Sequence, residues 1–391
     1  MDLRLLWLAL GAFALATDGF VIGSLLPGIA ADTGVTVAQA GYVVFAASMA
    51  GGIATPILAA IFGAEDRRLV LAVSTALFAL CALLVAMAPD YTFVLVARAA
   101  LAVGGALYVP IAQAAAVAMA PPEMRGRAVA TVVLGMSVAV AVGAPLGAWF
   151  ATYWGWRSAY LMMAGLSAFA TVMVWINVPS GLSGTRITLR ERLAVAAAPG
   201  IPPALLGAGL FMLGGFTAVV YIGPLTTDAM KLQASLIPLV LLLYGIGAVA
   251  GNWAGGQLAD RVGSYRATVI FMVGQVIGLL LFSVIPFLPP AIVMPVYLVH
   301  MCLFALVGWG YYVAQISRVS SLAGGAAPLA LSLLATVITF AIAFAAMVGS
   351  TVLERVGVLS IGWIAALLPA AALVLLLLES RQQRIPAPAE G

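Results

Sequence analysis

Apolar residues run through this chain in uninterrupted blocks of about 20 or more, separated by short stretches that hold most of its few charges. Coiled as a helix rising about 1.5 Å per residue, such a block spans the ~30 Å hydrocarbon core of a bilayer. Lipid offers no water to satisfy backbone N–H and C=O groups, so only helices and closed barrels can cross it. Barrel strands alternate polar and apolar side chains, and these blocks do not. Composition agrees: 64% of the 391 residues are hydrophobic and 8% are charged, whereas a soluble chain needs about a quarter charged residues to cover its surface. The fold class is therefore an all-α integral membrane bundle.

Blocks bounded by charges or by Pro, Gly and Asn turns give twelve spans, near 5–30, 38–62, 69–88, 92–119, 128–151, 158–177, 202–226, 233–256, 267–287, 291–317, 327–351 and 358–379. The first is too long for a cleaved signal peptide and lacks a small-residue cleavage pattern, so it is expected to stay. Basic residues mark the cytoplasmic side. With the N-terminus inside, that side holds thirteen: Arg4, Arg67, Arg68, Arg125, Arg127, Arg186, Arg190, Arg192, Arg261, Arg266, Arg318, Arg381 and Arg384. The outside holds Arg157, Lys231 and Arg355, and Arg98 lies within a span. Both termini are expected to be cytoplasmic.

The longest polar connection divides the chain into a six-helix bundle over 1–177, a cytoplasmic linker over 178–201, a second bundle over 202–379 and a tail over 380–391. Asp66-Arg67 after the second span returns as Asp260-Arg261 after the eighth, 194 residues later, close to half the chain. Two six-helix repeats enclosing one midplane site are the plan of a rocking transporter.

Scarce residues exclude several chemistries. The single lysine, Lys231, follows Met230 and cannot serve a phosphate-binding Gly-Lys-Ser/Thr loop, so ATP hydrolysis of that kind is out. One histidine, His300, and two cysteines, Cys81 and Cys302, lie in separate apolar segments and make no zinc site. No metal, cofactor or nucleic-acid partner is expected.

Four patches carry a resemblance. Gly256-Gln-Leu-Ala-Asp260-Arg261-Val-Gly263, with Arg266 behind it, resembles the Gly-x-x-x-Asp-Arg-x-Gly loop signature of the major facilitator superfamily. The counterpart Gly63-Ala-Glu65-Asp66-Arg67-Arg68 is compressed and lacks the second glycine. In the fourth span, Arg98 followed by Gly104, Gly105 and Pro110 resembles the superfamily motif that links a buried arginine to proton transfer. In the fifth, Gly143-Ala-Pro145-Leu-Gly147 and then Gly155-Trp156-Arg157 are similar to the antiporter motif, although the wider Gly-x-x-x-Gly-Pro-x-x-Gly-Gly form is not intact. Thr17-Asp18-Gly19-Phe20 with Leu26-Pro27 resembles the acidic first helix of twelve-span drug:proton antiporters and arabinose-efflux-permease-like exporters. The resemblance covers essentially the whole chain. It implies the major facilitator fold, a small-molecule substrate, coupling to protons, and placement in a bacterial inner membrane.

Asp18 is the most informative residue, since an ionised carboxylate thirteen residues into an apolar helix costs several kcal/mol unless it is paired or protonated. A buried carboxyl that meets Arg98 in one state and water in another switches between acid and carboxylate, as a proton carrier must. Asp18 lies roughly 20 Å in from one side and Arg98 roughly 9 Å in from the other, at similar depths. A permanent structural pair is the plainer alternative. His300, roughly 13 Å into the tenth span, is a second coupling candidate; a hydrogen-bonded packing residue is the alternative.

Asp66, Arg67, Asp260 and Arg261 are expected to contact neighbouring helix ends in an outward-facing state, or else to serve only as a topology signal. Gly143 and Gly147 permit close helix packing, as do Gly245, Gly247, Gly251 and Gly255, and Pro145 bends the fifth span. Phe20, Tyr108, Gln113, Tyr221, Tyr244, Asn252, Trp309, Tyr312 and Gln315 are the candidate cavity residues. A mainly aromatic and amide set beside one carboxylate suits a medium-sized, partly apolar, neutral or cationic solute. The scarcity of buried basic residues argues against a polyanion.

The leading expectation is a monomeric proton-coupled exporter in the lipid bilayer. Proton-coupled uptake is the alternative that the same carboxylate supports, and a passive channel is a third reading. An intramembrane serine hydrolase would have only Ser137 and His300 to work with, and Val138 stands where a glycine is expected.

Overall fold

The apolar blocks become helices in the computed structural model, which describes residues 3–121, 124–182 and 195–382. Among the described residues, eleven apolar helical stretches are long enough to cross a bilayer, and one of them, Pro290–Arg355, is two helices joined at Gly324. The twelve are α1 (Leu3–Thr33), α2 (Tyr42–Phe62), α3 (Arg67–Ala86), α4 (Tyr91–Met119), α5 (Arg125–Trp154), α6 (Trp156–Asn177), α7 (Ile201–Val220), α8 (Ile237–Val262), α9 (Ser264–Val284), α10 (Pro290–Ala323), α11 (Ala327–Arg355) and α12 (Ile361–Gln382). Residues 183–194, with Arg186, Arg190 and Arg192 of the expected linker, and 383–391, with Arg384 of the tail, lie outside the described residues.

Local chemistry sets the helix ends. Asp66 and Asp90 cap α3 and α4 through the backbone N–H of Arg68 and of Phe93, both at 2.8 Å. Gly155 between α5 and α6 and Gly263 between α8 and α9 take φ of 80° and 85°, which turn the chain where a side chain would be strained. Pro145 donates no backbone hydrogen bond, and the turn before it, Ala139–Gly143, widens to π geometry.

The two halves pack alike. In the first, α1 pairs with α5 and α6, α2 with α4, and α3 with α4 and α6; the second repeats every pairing, α7 with α11 and α12, α8 with α10, and α9 with α10 and α12. The tightest of these joins α8 to α10, where Gly247, Gly251 and Gly255 lie directly on backbone carbonyls of Cys302, Leu306 and Gly310. A Cβ at Gly255 would stand 2.5 Å from the Gly310 oxygen, so only glycine permits this approach.

Between the halves, α1 meets α7, α2 meets α11 and α5 meets α8. The α1–α7 and α2–α11 contacts concentrate at the end of the molecule remote from the termini. There Gly23 abuts Val219 and Val220, Gly223 abuts Pro27, and the Ser350 hydroxyl donates to the Ala38 carbonyl at 2.7 Å. Toward the terminal end the seam parts: the buried residues of α2 stop at Gly52, and those of α11 thin to Ala330 and Leu334 before resuming at Ala341. The bundle is sealed at the remote end and splayed at the other.

Four boundaries differ most from the sequence expectation, one of them the end of α7, which stops at Val220 rather than 226 because Tyr221 leaves the helical conformation. Helices α8 and α10 each run six residues past the expected spans, to Val262 and Ala323, because a helix continues into the headgroup region after its apolar stretch ends. Most of the Gly256–Gly263 signature is thus helix, and Gly263 alone makes the turn. Helix α2 starts at Tyr42, because Val37–Ala40 forms a separate turn closed by a Thr36–Gln39 capping box.

Candidate functional site

The apolar interior of the first half encloses one ion pair. Asp18 of α1 and Arg98 of α4 are 8% and 2% exposed, and the Arg98 Nη1 donates to Asp18 Oδ1. The same nitrogen donates to the Tyr160 hydroxyl of α6 at 2.5 Å. Tyr160 is fully buried, its oxygen shares the Arg98 nitrogen with the Asp18 carboxylate, and Arg98 Nε has no acceptor. Three helices thus bring acid, base and phenol to one point. Neutralising either ion alone would leave the other buried and unpaired, which costs about 3–5 kcal/mol. A proton arriving at Asp18 therefore has a structural consequence for α1, α4 and α6.

Helix α1 also carries the seam. One turn before Asp18, Phe13 accepts from Thr17, whose side chain occupies the space where a Cβ at Gly143 would lie. Gly147 faces Val21 in the same way, and on the other side of α5 Ala141 packs against Gly245 of α8, in the second half. The Gly143-Ala-Pro145-Leu-Gly147 segment thus lies between the helix that bears Asp18 and the opposite half.

The candidate cavity residues separate by partner. Phe20 bridges the halves, its ring centroid 6.4 Å from Phe216 and 5.8 Å from Trp309. Trp309 touches Tyr312 at 6.1 Å, and Tyr244 is buried. Gln113 and Asn252 are half-buried. Three others are enclosed: Tyr108 donates to the Leu8 carbonyl at 3.1 Å, Tyr221 to Ala346 at 2.7 Å, and Gln315 to Ala204 at 2.8 Å. Tyr221 lies between Gly41 and Gly349 within the remote seal. His300 sits in the second half, 5% exposed, its ring centroid 4.6 Å from Phe282 and 5.9 Å from Phe304. Its Nε2 is buried without a partner, and the structure does not bring it to Asp18.

Asp66 and Arg67 are engaged with the first half and the start of the linker. Asp66 accepts from Gly181 N–H at 2.6 Å as well as capping α3, the Arg67 backbone N–H donates to Leu182, and the Arg67 guanidinium donates to Ala114 of α4 at 2.8 Å. Gly63 ends α2, and Gly256, Asp260 and Arg261 lie on the last turns of α8. Ion pairs join Asp18 to Arg98, Asp32 to Arg157 and Arg318 to Glu379, each inside one half.

Sequence reasoning missed Tyr160, which carries no charge and looks like any packing aromatic. It also missed two partners. Arg318, read only as a cytoplasmic charge, is 8% exposed and bonds Glu379 of α12 at 2.7 Å. Asp32, at the remote end of α1, pairs with Arg157 and accepts from Trp156 Nε1 at 3.1 Å, beside a cleft of about 580 Å³ that both halves line.

Comparison with known proteins places this geometry. A family model described as Major Facilitator Superfamily matches residues 8–327. The chain is 28% identical over 361 residues to the MFS-type transporter YbcL of Bacillus subtilis, covering 92% of this chain and 91% of YbcL. It is 31% identical over 257 residues to the inner membrane transport protein YdhP of Escherichia coli, covering 66% of each. It is 30% identical over 265 residues to a chloramphenicol resistance protein of Streptomyces lividans, covering 67% of this chain and 68% of that protein. Among solved structures, a bacterial homologue of the human lysosomal transporter Spinster superimposes with a TM-score of 0.75 at 16% identity, covering 98% of both chains.

Proposed function

The chain belongs to the major facilitator superfamily, and from that premise we propose that it is a proton-coupled exporter of a small, partly apolar organic solute working by alternating access. The buried Asp18–Arg98 pair carries the reading. It is a titratable group deep in the bilayer, on the helix that crosses the seam, with its counter-ion on a second helix. The terminal end is the cytoplasmic side, so the splayed seam is an inward-facing state. Solute enters from the cytoplasm below the Phe20, Phe216 and Trp309 rings. The halves then rock, the Gly23–Val219 and Gly41–Tyr221 contacts part, and a proton from outside neutralises Asp18 as solute leaves. Protonation releases Arg98 from its ion partner and biases the return. Asp66, Arg67, Asp260 and Arg261 act at the cytoplasmic end, which closes in the outward-facing state.

The aromatic set favours a neutral or cationic solute. Similarity to the chloramphenicol resistance protein supports export of such a compound. The geometry around His300 suits packing between α9 and α10 better than coupling. A hydrolase is not supported: Ser137 donates to Val133 of its own helix at 3.3 Å, and His300 is enclosed by phenylalanines in the other half.

The test uses everted membrane vesicles energised with a proton gradient and a panel of lipophilic cations and neutral drugs. Gradient-dependent accumulation that a protonophore abolishes, and that Asp18→Asn lacks, supports export. Accumulation only in right-side-out vesicles would replace export by uptake, and flux that merely equilibrates the solute and needs no proton gradient would make the protein a passive channel.

A further inference from the structure

We propose that Tyr160 is the third member of the coupling site, a positioning residue that sets the proton affinity of Asp18; the inference deepens the reading of Asp18 as the coupling carboxylate and rests on it. The geometry is an ion pair whose base also holds a phenol. Arg98 Nη1 bears two hydrogens, one directed at Asp18 Oδ1 and the other at the Tyr160 oxygen. The phenol oxygen is thereby an acceptor, which leaves its own hydrogen free to turn toward the carboxylate that shares this nitrogen. With Arg98 Nε lacking any acceptor, the hydroxyl is also what retains the guanidinium when a proton takes Asp18 out of the ion pair.

The register of Tyr160 is built in. Gly155, with φ of 80°, begins α6, and Trp156 follows in a tight contact with α1, where a Cβ at Gly28 would lie 3.3 Å from that of Trp156. Trp156 Nε1 is fixed by Asp32 at 3.1 Å, and Tyr160, one turn further, meets the indole edge-to-face at 6.0 Å. The phenol thus has one place to go, and that place is the Asp18–Arg98 pair. Its acceptor role toward Arg98 persists whether Asp18 is charged or neutral. A hydrogen bond from the phenol to Asp18 is strongest while Asp18 is ionised, because a carboxylate accepts more strongly than a carboxylic acid. Deleting the hydroxyl therefore disfavours the ionised form more than the neutral one.

The experiment is an infrared titration of the purified protein in lipid, following the carboxylic-acid stretch that Asp18→Asn removes. In Tyr160→Phe the midpoint of that band is expected about one pH unit higher than in the wild type, the tenfold change that one hydrogen bond to a charged group commands. A ring-fluorinated tyrosine at the same position, equal in shape and a stronger donor, moves the midpoint down and covers the case in which Tyr160→Phe fails to fold. Substrate-driven proton flux in Tyr160→Phe shifts along the pH axis with the band. Midpoints that coincide with the wild type, or a lower one in Tyr160→Phe, overturn the proposal. A band that shifts in a protein whose transport ignores the proton gradient keeps the Tyr160 assignment and removes the coupling reading. No titrating Asp18 band in wild type or variant removes both.

Discussion

Replacing Gly23 with alanine should push the transporter toward the state that is open at its remote end. The added Cβ would lie 2.5 Å from the Val219 oxygen and 2.9 Å from that of Val220, where an ordinary carbon–oxygen contact is about 3.3–3.6 Å. Both obstacles are backbone atoms of α7, so α1 and α7 must separate by about 1 Å. Overpacking of this kind costs about 1–3 kcal/mol, and it is felt only while these helix ends touch. The equilibrium should therefore move between about fivefold and 150-fold toward the remote-open state. Spin labels at Thr152 and Ala234, which line the remote cleft from opposite halves, in a background lacking Cys81 and Cys302, would report the opening as a longer distance population. Gly19→Ala, whose Cβ meets nothing within 4 Å, is the control and should match the parent. Unchanged distances in a folded Gly23→Ala protein would refute the assignment of this contact as the seal.

Other substitutions test the packing and the remaining polar groups. Gly251→Val should separate α8 from α10, because even a Cβ collides with Leu306 backbone, and should lower the melting temperature in detergent by several degrees while Gly256→Ala, facing open space, leaves it unchanged. Arg318→Met or Glu379→Met alone strands a largely buried charge and should lose about 3 kcal/mol in a denaturation assay, whereas the double variant should recover most of it. His300→Leu removes a buried nitrogen that has no partner, so its melting temperature should be equal or higher, with coupling intact in a vesicle assay; lost coupling would bring His300 back into the mechanism.

The bundle was legible because its driving pattern is one-dimensional. Twelve apolar blocks, cut by charge and turn residues, place twelve helices, and the Asp66-Arg67 and Asp260-Arg261 echo reveals the repeat that the helix pairings display. Asp18 and Arg98 were legible for the same reason, since two charges at similar depth in an apolar bundle have few partners besides each other. Helix rotation was not legible. Tyr108, Tyr221 and Gln315 satisfy carbonyls inside their own halves, while Phe20 and Trp309 meet across the seam, and hydropathy alone does not separate these cases. Tyr160 shows the limit most clearly: its role comes from standing next to an ion pair formed by residues 62 and 142 positions away in the chain.

The most direct test of the central claim is proton movement in proteoliposomes on adding candidate solutes, with wild type and Asp18→Asn compared under the same gradient. The account predicts a solute-triggered proton flux in the wild type that is absent from a folded Asp18→Asn protein. Solute transport that proceeds without proton movement, or proton flux that survives in Asp18→Asn, would contradict it.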